Sequence, residues 1–251
     1  MMNGLWESIV SNVVFLLEFL LLIAVLFVIA YVVEKALDKK NGVTEKILST
    51  RKIAMIGMFA AIATILMMFE IPMPFAPSFY KLDFSELPVL IGTFAFGPVA
   101  GVMIEFVKII LKLLIKGTST AFVGELANFV VGCSFALPAA IIYLVKKSKK
   151  SAIIACVAGT LMLTFVGTSF NAIYLLPKFA ELYGMPLDAL IGMGTAINPK
   201  ITNITNFVIL AVAPLNLIKG CSVSLITLLV YKKLSPIIKA TATGSKKANK
   251  Q

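Results

Sequence analysis

Long, nearly unbroken apolar runs constrain this chain more than any other feature. Several windows exceed the ~18 consecutive apolar residues that read as a membrane-spanning helix, and period-two β-barrel alternation is not seen. Backbone groups in hydrocarbon must find partners within their own segment, so a single helical bundle follows. Of the 251 residues, 59% are apolar, far above the ~45–50% of soluble domains, and the mean hydropathy is +0.98. The expected class is an all-α integral membrane protein. No signal-peptide pattern is expected, because no lysine or arginine precedes the first apolar run.

The net charge of +11 need not mean nucleic acid. Sixteen of the 23 basic residues lie in Lys35–Lys52, Lys146–Lys150 and Lys232–Lys250, between or after the apolar runs. Such clusters read as the cytoplasmic bias of positive charge. If all three are cytoplasmic, the intervening loops lie outside, the N-terminal Met1–Ser8 segment is extracellular and the C-terminus is cytoplasmic. Seven membrane helices then result.

In chain order, residues 1–50 hold an extra apolar helix, about Ile9 to Val33 with Glu18 as its one buried-charge candidate, and a basic linker that includes Asp38–Asn41. A span of about Ile53–Phe69 follows. Its Gly57, Ala60, Ala61 and Ala63 form small faces that suit close helix docking, either with a partner or inside the bundle. Pro72–Pro88 carries four prolines among Phe75, Phe79 and Tyr80. It is expected to be a stiff extended cover rather than helix. Phe84–Phe96 is short and ends at Gly97-Pro98. About Val99–Ile115 carries Glu105, Lys108, Lys112 and Lys116 on one face. Charges in a membrane helix are either functional or mutually neutralising. Later spans run to Val145, from Ala152 to Leu176 with Pro177 closing it, and from Ile201 to Tyr231. Residues 234–251 form a basic tail, expected to be irregular beyond Lys239.

The chemistry available is limited. Histidine is absent, which removes the commonest general base and metal ligand. Cys133, Cys156 and Cys221 lie apart in apolar runs and read as small hydrophobes. No phosphate-binding glycine loop occurs, so neither ATP hydrolysis nor any other enzyme activity is expected, and no metal or cofactor. Intramembrane amides remain: Asn128, Asn171, Asn203, Asn206 and Asn216, with Lys219 three residues after the last. Amides pair with planar ligand edges that alternate acceptor and donor, or they hold helices together. Gathered under an aromatic loop, they fit a pocket for a flat uncharged molecule.

The stretches Leu82-Asp-Phe-Ser-Glu-Leu-Pro88, Phe94-Ala-Phe-Gly-Pro-Val-Ala-Gly101, Glu105 to Lys108, Glu125-Leu-Ala-Asn-Phe129 and Pro214-Leu-Asn-Leu-Ile-Lys-Gly220 resemble the riboflavin-specific S component of energy-coupling factor (ECF) vitamin transporters. The resemblance covers about Arg51 to Lys233. It implies a six-helix substrate-binding domain over 51–233, preceded here by one extra transmembrane helix. It implies a multi-pass prokaryotic cell-membrane protein that captures riboflavin under the 72–88 loop. The partners implied are a transmembrane coupling subunit and two ATPase subunits. It assigns substrate binding to Asn171, Asn216 and Lys219, with Phe79, Tyr80, Leu82 and Asp83 in the lid and Asn128 and Lys108 at motif positions. It assigns partner docking to Gly57, Ala60 and Ala61. The alternatives are an S component for another vitamin, or for flavin mononucleotide as well, with Lys112 and Lys116 meeting the phosphate. A structural membrane subunit without a small-molecule ligand is the alternative from another class.

Overall fold

The computed structural model describes residues 13–43, 46–120 and 122–248, with side chains described as far as Val230. Met1–Ser8, the proposed extracellular terminus, lies outside the described residues. Helix α1 is Val13–Asn41 and α2 is Thr50–Met68. A two-residue antiparallel ladder, β1 (Ile71–Pro72) with β2 (Lys81–Leu82), then closes the neck of a loop. Helices α3 (Glu86–Phe96), α4 (Pro98–Lys116), α5 (Val123–Val145) and α6 (Lys149–Phe170) follow. A π-turn, Asn171–Leu175, leads into α7 (Leu176–Leu182), and α8 is Leu187–Thr195. The chain ends in α9 (Ile204–Phe207), a second π-turn (Val208–Val212) and α10 (Ala213–Ala248).

Among the described residues, five helical stretches are long and apolar enough to cross a membrane: α1, α2, α5, the Lys149–Leu182 rod and Ile204–Val230. With α3 and α4 packed among them, the all-α membrane fold stands. The cover is not helical, as the prolines require, but it is turned rather than extended: Ala76 N–H donates to Met73 O at 3.3 Å and Tyr80 N–H to Pro77 O at 2.8 Å, because proline sets φ for a turn as readily as for an extended run. Of the four prolines of the cover, Pro88 alone falls inside a helix, in the first turn of α3, where a missing amide donor leaves no bond unmade.

Four boundaries differ from the sequence reading. Helix α1 runs through Lys40 to Asn41, where a linker was expected. Its last turns contain the good helix formers Ala36, Leu37 and Lys39, and Asn41 Nδ2 donates to Leu144 O at 3.2 Å. Pro177 does not end the rod that begins at Lys149. It sits in the first turn of α7, where the helix restarts after the wider π-turn and no amide hydrogen is needed. Ile201–Asn203 stays outside the last rod because Asn203 caps it, accepting from Asn206 N–H at 2.8 Å. The tail is helical to Ala248, as a lysine- and alanine-rich continuation of an already nucleated helix allows.

Two apolar cores position the site. Ile56, Ala60 and Ala63 of α2 pack with Val89, Phe96, Ala100 and Ile104 of α3 and α4. Phe15, Phe19 and Ala30 of α1 pack with Val99, Val102, Ile109 and Phe129 of α4 and α5. The extra helix is thus part of the bundle. Glu18 is exposed rather than buried, and it accepts a hydrogen bond from Tyr174 Oη.

Candidate ligand site beneath an aromatic lid

The loop between β1 and β2 folds over one end of the bundle. Its Phe79 ring stacks on Phe179 of α7 with centroids 5.1 Å apart, and the Tyr80 ring lies 6.0 Å from Phe207. Ala76, Ile201, Phe207 and Val212 close the apolar seam beneath. Glu70, at the loop's entrance, receives hydrogen bonds from Lys81 Nζ at 2.8 Å and Lys116 Nζ at 2.9 Å. Burial pushes the Glu70 carboxyl up, but these two lysines outweigh it and hold it below the usual carboxylate range.

Under the lid lies a cavity of about 110 Å³, lined by Phe79, Tyr80, Asn128, Asn171, Asn216 and Lys219 among others. A polar vestibule of about 360 Å³ adjoins it, sharing Phe79, Lys81, Thr120, Asn128 and Phe179 and adding Glu70, Asp83, Lys112 and Glu125. The π-turn begins at Asn171, whose Nδ2 donates to Gly167 O at 2.7 Å and whose Oδ1 accepts from Tyr80 Oη at 2.6 Å. Gly167 also makes room for the second amide: a Cβ there would come to 2.5 Å from Asn216 Nδ2. Asn128 lies against both cavities, its Nδ2 donating to Gly124 O at 2.9 Å.

Behind the cavity is a buried ionic cluster. Lys219 Nζ stands 3.1 Å from Asp83 Oδ2 and 2.9 Å from Glu86 Oε1. Lys108 Nζ donates to Ser85 Oγ at 3.1 Å and Glu86 Oε2 at 3.1 Å, and stands 2.6 Å from Glu105 Oε2 in an ion pair. One helix alone thus neutralises only part of its own charge, and the lid end, α3 and α10 supply the rest. Lys219 donates to Asp83, pairs with Glu86 and also lines the cavity, so the ammonium stands between the cluster and the ligand space.

The structure therefore brings together Phe79, Tyr80, Asn128, Asn171, Asn216 and Lys219 around the cavity, with Asp83 at the vestibule. It places Lys108, fully buried, in the ionic cluster and not on the cavity wall, and Leu82 in the buried β2 neck. Asn203 is exposed and Asn206 half-buried, and both serve the α9 cap. Lys112 does not extend to solvent. It is buried in an ion pair with Glu125, whose other oxygen accepts from Thr118 and Thr120 at 3.1 Å. Gly57 and Ala61 face outward together on α2, with nothing within 4 Å of a Cβ built at Gly57, whereas Ala60 faces inward and is fully buried.

Several residues of the site were not singled out from sequence. Glu86 is in the quoted Leu82–Pro88 stretch, but its lysine partners, Lys108 and Lys219, lie on other helices, so spacing along the chain gave no signal for it. Phe179, Phe207 and Gly167 gave no signal, because their parts depend on which helices meet.

A helical membrane bundle with a lidded amphiphilic cavity and no metal-ligating cluster among the described residues is the class that fold and site define. Residues 51–231 match the family described as ECF transporter, substrate-specific component. The chain is 36% identical over 189 residues to the riboflavin transporter RibU of Staphylococcus aureus (strain TCH60), covering 75% of this chain and 93% of that protein. It is 29% identical over 192 residues to the riboflavin transporter FmnP of Bacillus subtilis (strain 168), covering 76% and 95%. A solved S component of a bacterial ECF transporter superposes with a TM-score of 0.58 at 35% identity, covering 75% of this chain and 98% of that one. The chain belongs to the family of ECF transporter substrate-specific components. Helix α1 precedes the matched residues.

Proposed function

We propose that this chain is a riboflavin-capturing S component that takes the vitamin from outside the cell under the 72–88 loop. It passes riboflavin on with a coupling subunit and two ATPases. The observation that carries the reading is the convergence of Asn171, Asn216 and Lys219 on one cavity roofed by Phe79 and Tyr80. The amides and the Lys219 ammonium offer donors and acceptors to the imide edge of a flavin, and the aromatic lid offers apolar faces to its ring. The vestibule, with Asp83, Thr120 and Asn128, suits the hydroxyl-rich tail. Relatives named as riboflavin transporters support the ligand.

The phosphate of flavin mononucleotide is less well served. Lys112 is paired with Glu125 and Lys81 with Glu70, and Asp83 adds a third carboxylate, so the vestibule lining holds more carboxylates than cations. The reading assigns no enzyme activity and no cofactor of its own to the chain. The outward face of Gly57 and Ala61 on α2 suits docking of the coupling subunit, with the basic Lys146–Lys150 connector on the cytoplasmic side. Topology on this reading has the N-terminus outside and the C-terminus inside.

The test is a titration of the purified protein with riboflavin, read by quenching of flavin fluorescence, together with flavin mononucleotide and a panel of other vitamins. Saturable quenching by riboflavin, with no competition from the other vitamins and weaker competition from the mononucleotide, is expected. Absence of quenching would remove the proposal.

A further inference from the structure

We propose that the Tyr80 hydroxyl is a built-in stand-in for the ligand: it occupies the Asn171 amide, and ligand entry exchanges that bond for one from the ligand. The inference rests on the flavin reading of the cavity.

Both amide atoms of Asn171 are engaged. Nδ2 is held by Gly167 O, which fixes the orientation of the amide and turns Oδ1 toward the lid. There Tyr80 Oη donates to it at 2.6 Å. A neutral phenol can give this acceptor what a ring N–H of a planar ligand would give, a single donor in an apolar setting. Burial raises the Tyr80 hydroxyl well above its ordinary titration range, so it stays a donor at any physiological pH. The ring is held as well: it lies 4.7 Å from Phe79 and 6.0 Å from Phe207. The backbone of Tyr80 is fixed in the lid by its N–H to Pro77 O, and its carbonyl accepts from Met73 N–H at 3.4 Å.

Cavity size points the same way. Ligand pockets run to roughly 300–1,000 Å³, and the space beside Tyr80, Asn171, Asn216 and Lys219 is about 110 Å³. The remaining room lies in the adjoining vestibule of about 360 Å³, away from Asn171, so a ligand that pairs with Asn171 Oδ1 takes the place of the Tyr80 hydroxyl. The other two readers differ: Lys219 lines the cavity while paired with Asp83 and Glu86 behind it, and Gly167 leaves the Asn216 amide its room. Tyr80 therefore acts on one reader alone, and it sets the ligand chemistry. Only a molecule that brings its own donor to Asn171 Oδ1 compensates for the bond it breaks, because an unpaired buried acceptor is penalised. The imide N–H of a flavin meets that requirement.

Tyr80→Phe keeps the ring and deletes the donor. If the hydroxyl competes with the ligand, the variant binds riboflavin with an association rate and an affinity raised about three- to tenfold, the effect of one modest hydrogen bond. In an Asn171→Ala background, Tyr80→Phe has no further effect on the association rate. A lowered affinity in Tyr80→Phe would make the hydroxyl a ligand contact and overturn the proposal, as would an unchanged association rate. Amide hydrogen exchange without ligand supplies an independent arm. Met73 N–H, held by the Tyr80 carbonyl, should exchange faster in Tyr80→Phe than in the parent. Equal exchange overturns the latch whatever the ligand. A parent protein that binds no riboflavin but shows faster exchange in Tyr80→Phe would instead refute the flavin reading and keep the latch.

Discussion

The Glu34 carboxylate accepts the Val99 backbone N–H at 2.8 Å, so a helix that precedes the family match caps the first turn of α4. The other oxygen stands 3.3 Å from Lys52 Nζ at the start of α2. Gly97, with φ of 105°, makes the approach possible: a Cβ there would come within 2.7 Å of the carboxyl group. One buried side chain thereby joins three helices at a single turn.

Removing that carboxylate should loosen α1 from the bundle. Glu34→Ala leaves the Val99 amide without its acceptor and is expected to lower stability by about 1–3 kcal/mol. Glu34→Gln, which keeps an acceptor but loses the ion pair, should lose less. Thermal unfolding in detergent or nanodiscs measures both, and equal melting temperatures for the parent and Glu34→Ala would show that α1 packs without the clamp.

Gly167→Ala tests the site at its tightest point. A Cβ there would meet Asn216 Nδ2 at 2.5 Å, so the amide must turn from its place. Riboflavin affinity should fall about tenfold or more, the value of one misplaced buried hydrogen bond. Folding should be retained, as read by an unchanged elution profile. Undiminished affinity would remove Asn216 from the flavin edge.

Lys108→Met separates the ionic cluster from the cavity wall. It leaves Glu86 and Glu105 facing each other without the ammonium between them. Breaking a buried pair in this way costs about 3–5 kcal/mol. The expected outcome is a large loss of thermal stability. A stable variant with a selective binding defect would instead mean that Lys108 reaches the ligand.

Acid should open the lid through Glu70. Its carboxyl is held below the ordinary value by Lys81 and Lys116, so its contribution is present above the unfolded pKa and lost as pH falls through the folded one. The riboflavin off-rate should be flat above about pH 5 and rise below about pH 4. In Glu70→Gln it should be high and flat throughout. Because both lysines are well exposed, the effect is worth about 1 kcal/mol or less, and high salt should mimic acid. A parent off-rate unmoved by acid and by salt would free the lid from this latch.

The outward α2 face carries a separate prediction. Gly57→Leu with Ala61→Leu fills the open face without touching the cavity. Riboflavin binding should be unchanged, and co-purification with the coupling subunit should be lost. Retained assembly would move the docking surface elsewhere.

Much of this was legible along the chain because it depends on local chemistry. Apolar runs fix helices in lipid, and prolines fix the cover. The amide and lysine of Pro214–Gly220 lie one turn apart, so Asn216 and Lys219 had to share a face. The π-turn at Asn171 was not legible. A five-residue widening has no composition of its own, and it carried the helix past Pro177 where a stop was expected.

The sequence by itself determined that the chain is a helical membrane protein with a rigid aromatic loop and a small set of intramembrane polar groups, since periodicity, proline geometry and desolvation act within one segment. The tertiary structure alone decided how those groups are divided. Lys108 went to a cluster with Glu86 and Glu105, and Lys112 to Glu125, while Lys219 kept a share in the cavity. It also decided that Tyr80 rests on Asn171, 91 positions away, and that Glu34 reaches Val99. The reason is physical: a charge or amide buried in the bundle takes whichever partner folding brings within about 3 Å, and sequence spacing says nothing of partners on other helices.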